Sequence, residues 1–338
     1  MSDNPLEAKY AEEVSKRLGF QHYPVPSSYT SADFIPAIVW RTECSISYHH
    51  SRSIENPYFL GNVADYYMGG QFGDISSGGH IRSYMYEPID SELLPKRAYL
   101  HYAANREALH SIFTDKFLNE YLPQVKKCFA DSFKTIEEKD NINIYQVWDQ
   151  KERQANFILR SGMVHRHIIE GIYPFLDVEY FNFVSSVPEK WRKGQLMYRA
   201  VINHLGPEVR GIPSANDGLR LRSSLFANRF ERWIGYKKAG LLKRIGVKNK
   251  PTKTPHFLSN DEPSINLIRS FLKGEYFDPA IFNSSGIEDL LKAVSGSSIH
   301  DRMLKTLATF AVGLPIFVYK SVNECPGNAL PYLAKAQV

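Results

Sequence analysis

The chain has 338 residues, 43% hydrophobic and 23% charged, with a formal net charge of +5. That is the balance of a globular protein with enough chain for one large or two modest cores, and it excludes disordered and fibrous classes. Without a run of about 18 apolar residues or a charged-then-apolar leader, neither a membrane span nor a signal peptide is expected. Cys44, Cys128 and Cys325 are odd in number and far apart, which argues against a disulfide framework or a zinc finger and fits a reducing cytoplasm.

The first element predicted is a helix. Asn4 can cap it, Pro5 suits its first turn, and Gly19 ends it after Leu18. Up to residue 90 short helical and strand-like segments alternate, with the likeliest-looking strands at Gln21-His22-Tyr23-Pro24-Val25 and from Val63 to Met68. From about 93 to 325 the pattern is mainly helical. Leu109, Ile112, Phe113, Phe117, Tyr121, Leu122 and Val125 carry helical spacing, as do Ile142, Ile144, Val147 and Trp148. Residues 248 to 259, with Pro251 and Pro255, read as a loop or linker.

The stretch Met68-Gly69-Gly70-Gln71-Phe72-Gly73-Asp74-Ile75-Ser76-Ser77-Gly78-Gly79 places five glycines and an aspartate in twelve residues. A strand running into glycines and a carboxylate is a candidate phosphate and magnesium cradle, because glycine lets backbone N–H groups approach an anion and Asp74 offers a hard oxygen. The same residues also describe an ordinary glycine turn with a solvated aspartate. A second stretch, Glu170-Gly171-Ile172-Tyr173-Pro174-Phe175-Leu176-Asp177, lies about a hundred residues downstream.

The second stretch resembles the Pro-Phe-Leu-Asp signature of the asparagine synthetase family, which places a Glu four residues before the Pro. Glu170 matches, whereas Ile172 stands where the family usually has Arg. Residues 69 to 79 fall without a gap on the family's Ser-Gly-x-Gly-x-Asp-Glu-x-x-Gly-Gly element, with Gly70, Asp74, Gly78 and Gly79 matching. Leu196-Met197-Tyr198-Arg199-Ala200-Val201, Ile212-Pro213 and Gly218-Leu219 look like the stretch that follows the signature, so the resemblance spans roughly residues 5 to 225.

The resemblance implies an α/β fold: a partial, parallel-sheet nucleotide-hydrolase-like core over residues 1–90, of the ATP pyrophosphatase type, followed by a mainly helical region over 91–338. It further implies an ATP- and Mg2+-dependent, AMP-forming amide ligase. Such an enzyme activates a carboxylate as an acyl-adenylate, which an amine or ammonia then attacks. Gly70, Gly73, Asp74, Gly78 and Gly79 would face the nucleotide, Asp74 would hold magnesium, and Glu170 and Asp177 would touch substrate. On its own residues Asp177 reads equally as a cap for the helix that follows.

Three departures from the family pattern imply impaired chemistry. The Ser-Gly-Gly-x-Asp-Ser loop expected upstream of residue 5, with its second metal-binding Asp, is absent from the sequence. Gln71 replaces a catalytic Glu and cannot act as a carboxylate base. Asn216 replaces a charge-stabilising Lys, a role open to Arg220 or Arg222. The alternatives are a non-catalytic scaffold that keeps the fold, a partner chain that supplies the missing loop or ammonia, or a split or mis-started gene.

Between residues 220 and 253 eleven Lys and Arg stand against a single acid, Glu231. With Phe226, Phe230 and Trp233 they read as a basic solvated helix face, or as a contact for a membrane surface or an anionic glycan. No nucleic-acid motif accompanies them. His165, His167 and Glu170 make a weak metal cluster, since two residues apart on a helix point to different sides. His49 and His50 read as a polar loop.

Overall fold

The computed structural model describes residues 5–23, 35–48, 61, 64–82, 85, 90, 92–103, 106–166, 169–214, 220, 230, 262–292 and 298–318. The backbone groups into two units, neither continuous in sequence. One contains Met1–Ser27, Gly70–Arg82 and Tyr173–Pro255; the other contains Ser28–Gly69, Ser83–Ile172 and His256–Val338. The expected division cut the chain once, near residue 90.

The first unit opens with the Pro5–Leu18 helix. Gly19, at a φ of 72°, terminates it as its position in the sequence predicts. Arg17 Nη1 donates to the Glu208 carbonyl at 2.8 Å, which ties this helix to the turn after residue 205. The unit also holds a one-turn helix, Gly73–Ser76, a 3-10 turn, Pro174–Leu176, and the helices Val178–Ser186, Glu189–Arg192 and Leu196–Leu205.

The second unit contains the sheet. Strand β1, Tyr66–Met68, pairs in parallel with strand β2, Glu170–Ile172, in the register Tyr66↔Glu170, Tyr67↔Gly171, Met68↔Ile172. Around them the unit is helical. The helix Ile35–Thr42 is mostly apolar and buries Ile35, Ala37, Ile38, Val39 and Thr42. It shares a core with Ile112, Val164, Ile268, Phe271, Phe282, Leu304 and Leu307. Helices Glu262–Lys273 and Ser298–Gly313 contribute the largest share of that core.

A second cluster is aromatic. Trp148 stacks on Phe133 with ring centroids 4.6 Å apart, touches Phe129 at 5.1 Å, and donates its indole N–H to Ser132 Oγ at 2.9 Å. These residues join helix Asp115–Lys134 to helix Asn141–Trp148, after which the chain continues as a π-helix, Asp149–Ile158.

Several expectations are corrected. Among the described residues the chain is mostly helical with one small parallel sheet, and an α/β nucleotide-hydrolase-like core is not seen there. Residues 21–23 are not a strand, and Pro24 and Val25 lie outside the described residues. Of the strand expected from Val63 to Met68, Tyr66–Met68 form one, Ala64 and Asp65 do not, and Val63 lies outside the described residues. The helical spacing through Leu109–Val125 spans two helices, Arg106–His110 and Asp115–Lys134, because Thr114 takes an extended backbone and caps the second by accepting from Phe117 N–H. Among the described residues no helix is long and apolar enough to cross a membrane.

Candidate functional site

The glycine stretch forms a tight turn within the first unit, wound around its own backbone. Phe72 enters it in the left-handed region at a φ of 70°, its ring 6.4 Å from that of Phe181. Ser76 N–H then donates to Phe72 O, Ser77 N–H to Gly73 O, Gly78 N–H to Ile75 O and Gly79 N–H to Asp74 O. Gly73 N–H bonds Gly70 O. The N–H groups of Gly73, Ser76, Ser77, Gly78 and Gly79 are therefore spent on carbonyls of the turn itself.

Each glycine past Gly70 has a neighbour in the place of a side chain. A Cβ on Gly73 would lie 2.9 Å from the Phe175 ring, one on Gly78 would lie 2.3 Å from the Arg192 carbonyl oxygen, and one on Gly79 would lie 2.8 Å from the Asp74 carbonyl oxygen. Gly78 also needs its left-handed φ of 87°. Only open space surrounds Gly70. Close protein packing explains glycine at residues 73, 78 and 79 without a ligand.

Asp74 is exposed, and both its oxygens are engaged. Oδ2 lies 2.9 Å from His80 Nε2, and Oδ1 accepts from the Ile75 N–H at 2.9 Å. The hydrogen bond from His80 is the main cause that holds the Asp74 carboxyl below its ordinary value, against the opposing effect of burial. Gln71 places its Oε1 out of solvent with no hydrogen-bond partner.

Of the two readings of Asp177, the structure realises the cap. Its Oδ1 accepts the N–H of Tyr180 at 2.9 Å and starts the Val178–Ser186 helix. Phe175, seated on Gly73 and 5.5 Å from Tyr180 by ring centroids, brings the glycine turn and the Pro-Phe-Leu-Asp stretch together. Glu170 is exposed at the start of β2 and belongs to the other unit. Arg220 is exposed, and its backbone is fixed by a bridge to Pro213 and by Arg199 Nη1, which donates to its carbonyl at 3.2 Å. Asn216, Gly218, Leu219, Arg222, His49, His50, His167, Phe226, Trp233, Cys325, the 248–259 loop and all of the basic segment except Arg220 and Phe230 lie outside the described residues.

Sequence reasoning missed His80, Ser77 and Gln195. A histidine six residues beyond an aspartate is an unremarkable spacing, and only the glycine turn between them folds it back. No group of three or more His, Cys, Asp or Glu side chains that could hold a metal is present among the described residues. Asp74 is thus already held by two protein donors, His80 and the Ile75 N–H, and the N–H groups of Gly73, Ser76, Ser77, Gly78 and Gly79 are bonded to carbonyls of the turn. The described residues do not fit Mg·ATP.

No family model, curated protein or solved structure matches this chain.

Proposed function

We propose that this chain is an asparagine-synthetase-like domain that keeps the family's arrangement of motifs while its amide-ligase chemistry is impaired, and that it serves as a non-catalytic scaffold. One observation carries the reading: the two motif stretches, about a hundred residues apart in sequence, meet where the Phe175 ring packs on Gly73. The strands that precede them support it. They pair in parallel and end level, Met68 beside Ile172.

The impaired half of the reading rests on Gln71, which has no carboxylate to offer, and on Asp74, which is committed to His80. In an active ligase of this type ATP and Mg2+ would drive carboxylate activation. Here no step is assigned to them.

Calorimetric titration of the full chain with a non-hydrolysable ATP analogue and magnesium tests the proposal. The expected result is no saturable binding in the micromolar range. Binding near roughly −8 kcal/mol, lost in Asp74→Ala, would return the chain to the working ligases and start the search for its acid and amine.

A further inference from the structure

Part of the first unit leans on the glycine turn through a link under backbone strain. Gly194 and Gln195 are consecutive left-handed residues, at φ 61° and 59°, between the Glu189–Arg192 and Leu196–Leu205 helices. For a glutamine that conformation is costly and persists where surrounding contacts hold it. Gln195 Nε2 donates to Ser77 Oγ at 2.9 Å, and Ser77 Oγ donates to the Asp74 carbonyl at 2.9 Å. The Arg192 carbonyl closes over Gly78, where no Cβ could fit. Arg199, nearly buried, donates from Nε to the Gly194 carbonyl at 3.1 Å and holds the link from its other side.

We infer that the 73–80 turn is a structural clasp for the Gly194–Gln195 link, and that His80 takes the place beside Asp74 that a divalent cation would need. It deepens the scaffold reading above by giving the motif a task other than nucleotide binding. The side chain of Asp74 closes the turn through His80, its carbonyl anchors Ser77, and Ser77 anchors Gln195. A cation on Asp74 Oδ2 would have to displace His80 and release one end of this chain of contacts.

The test has two arms on the full-length chain. Manganese, followed by its electron paramagnetic resonance signal, probes any hard-cation site at Asp74. No saturable binding is expected up to about 1 mM, the weak end of protein cation sites. In the second arm thermal unfolding is followed for Ser77→Ala, Gln195→Ala and the double variant. Each single change is expected to lower Tm, and the double variant is expected to fall by clearly less than the sum, since one contact is removed twice.

Saturable manganese binding that is lost in Asp74→Asn would overturn the clasp, and so would additive shifts in Tm. Should Asp74→Asn fail to fold, His80→Gln serves instead: manganese binding by the wild type that strengthens in His80→Gln is equally fatal. Tight ATP-analogue binding that survives Asp74→Ala, together with non-additive Ser77 and Gln195 shifts, would sink the scaffold reading and leave the clasp standing.

Discussion

At the scale of single residues, Asp74 shows how little a motif position says before its neighbours are known. With a folded-state value below the ordinary 3.8, its pairing with His80 adds stability that is fully present above the unfolded value and is lost as pH falls through the lower folded one. Its side chain is 61% exposed, so solvent and salt screen the pair and the effect stays under about 1 kcal/mol. Acid unfolding of the wild type and Asp74→Asn should therefore diverge above the carboxylate range and converge below it; parallel curves would mean that the contact is idle. Cys44 makes the opposite case. Burial pushes its thiol up to about 11, leaving roughly a thousandth of it ionised near pH 8. Exposed Cys128 should react with a thiol reagent long before Cys44 does, as read by peptide mass mapping.

At the scale of elements, caps and aromatic contacts do what periodicity alone does not express. Asp177→Ala should cost about 1 kcal/mol by removing the cap from the Val178–Ser186 helix, and Asp177→Ser should recover most of it. An unchanged melting curve for the Ala variant would mean that the cap adds nothing to stability. Trp148 lies at the meeting of Phe129, Phe133 and Tyr145, and Trp148→Ala should cost about 3–5 kcal/mol in urea unfolding, with Trp148→Phe costing visibly less. The helix that carries it was legible because, in the set Ile142, Ile144, Val147 and Trp148, Val147 and Trp148 follow Ile144 by three and four residues. The break at Thr114 was not, because apolar spacing continues across it and the cap is a single hydroxyl.

At the scale of the molecule, the class follows from what covers the strands. Three-residue strands cannot define an α/β layer, and helix supplies nearly all of the core in the second unit. Far-UV circular dichroism should show the paired minima of a helical protein. A spectrum dominated by strand would contradict the structure. The two units interleave in sequence, each drawing on three separate stretches of the chain.

The sequence by itself determined the Pro5–Leu18 helix with its glycine stop, the helical character of most described residues beyond about 93, and the strand leading into the glycines at Tyr66–Met68. These depend on local propensity, capping and periodicity, which are written in neighbouring residues. Only the tertiary structure decided that Tyr66–Met68 pairs with Glu170–Ile172, that Phe175 sits on Gly73, and that His80 takes Asp74. Each of those joins residues whose relation is set by the path of the chain between them. A glycine that spares room for a phosphate and one that spares room for a carbonyl are the same letter, and at Gly78 the neighbour is the Arg192 carbonyl.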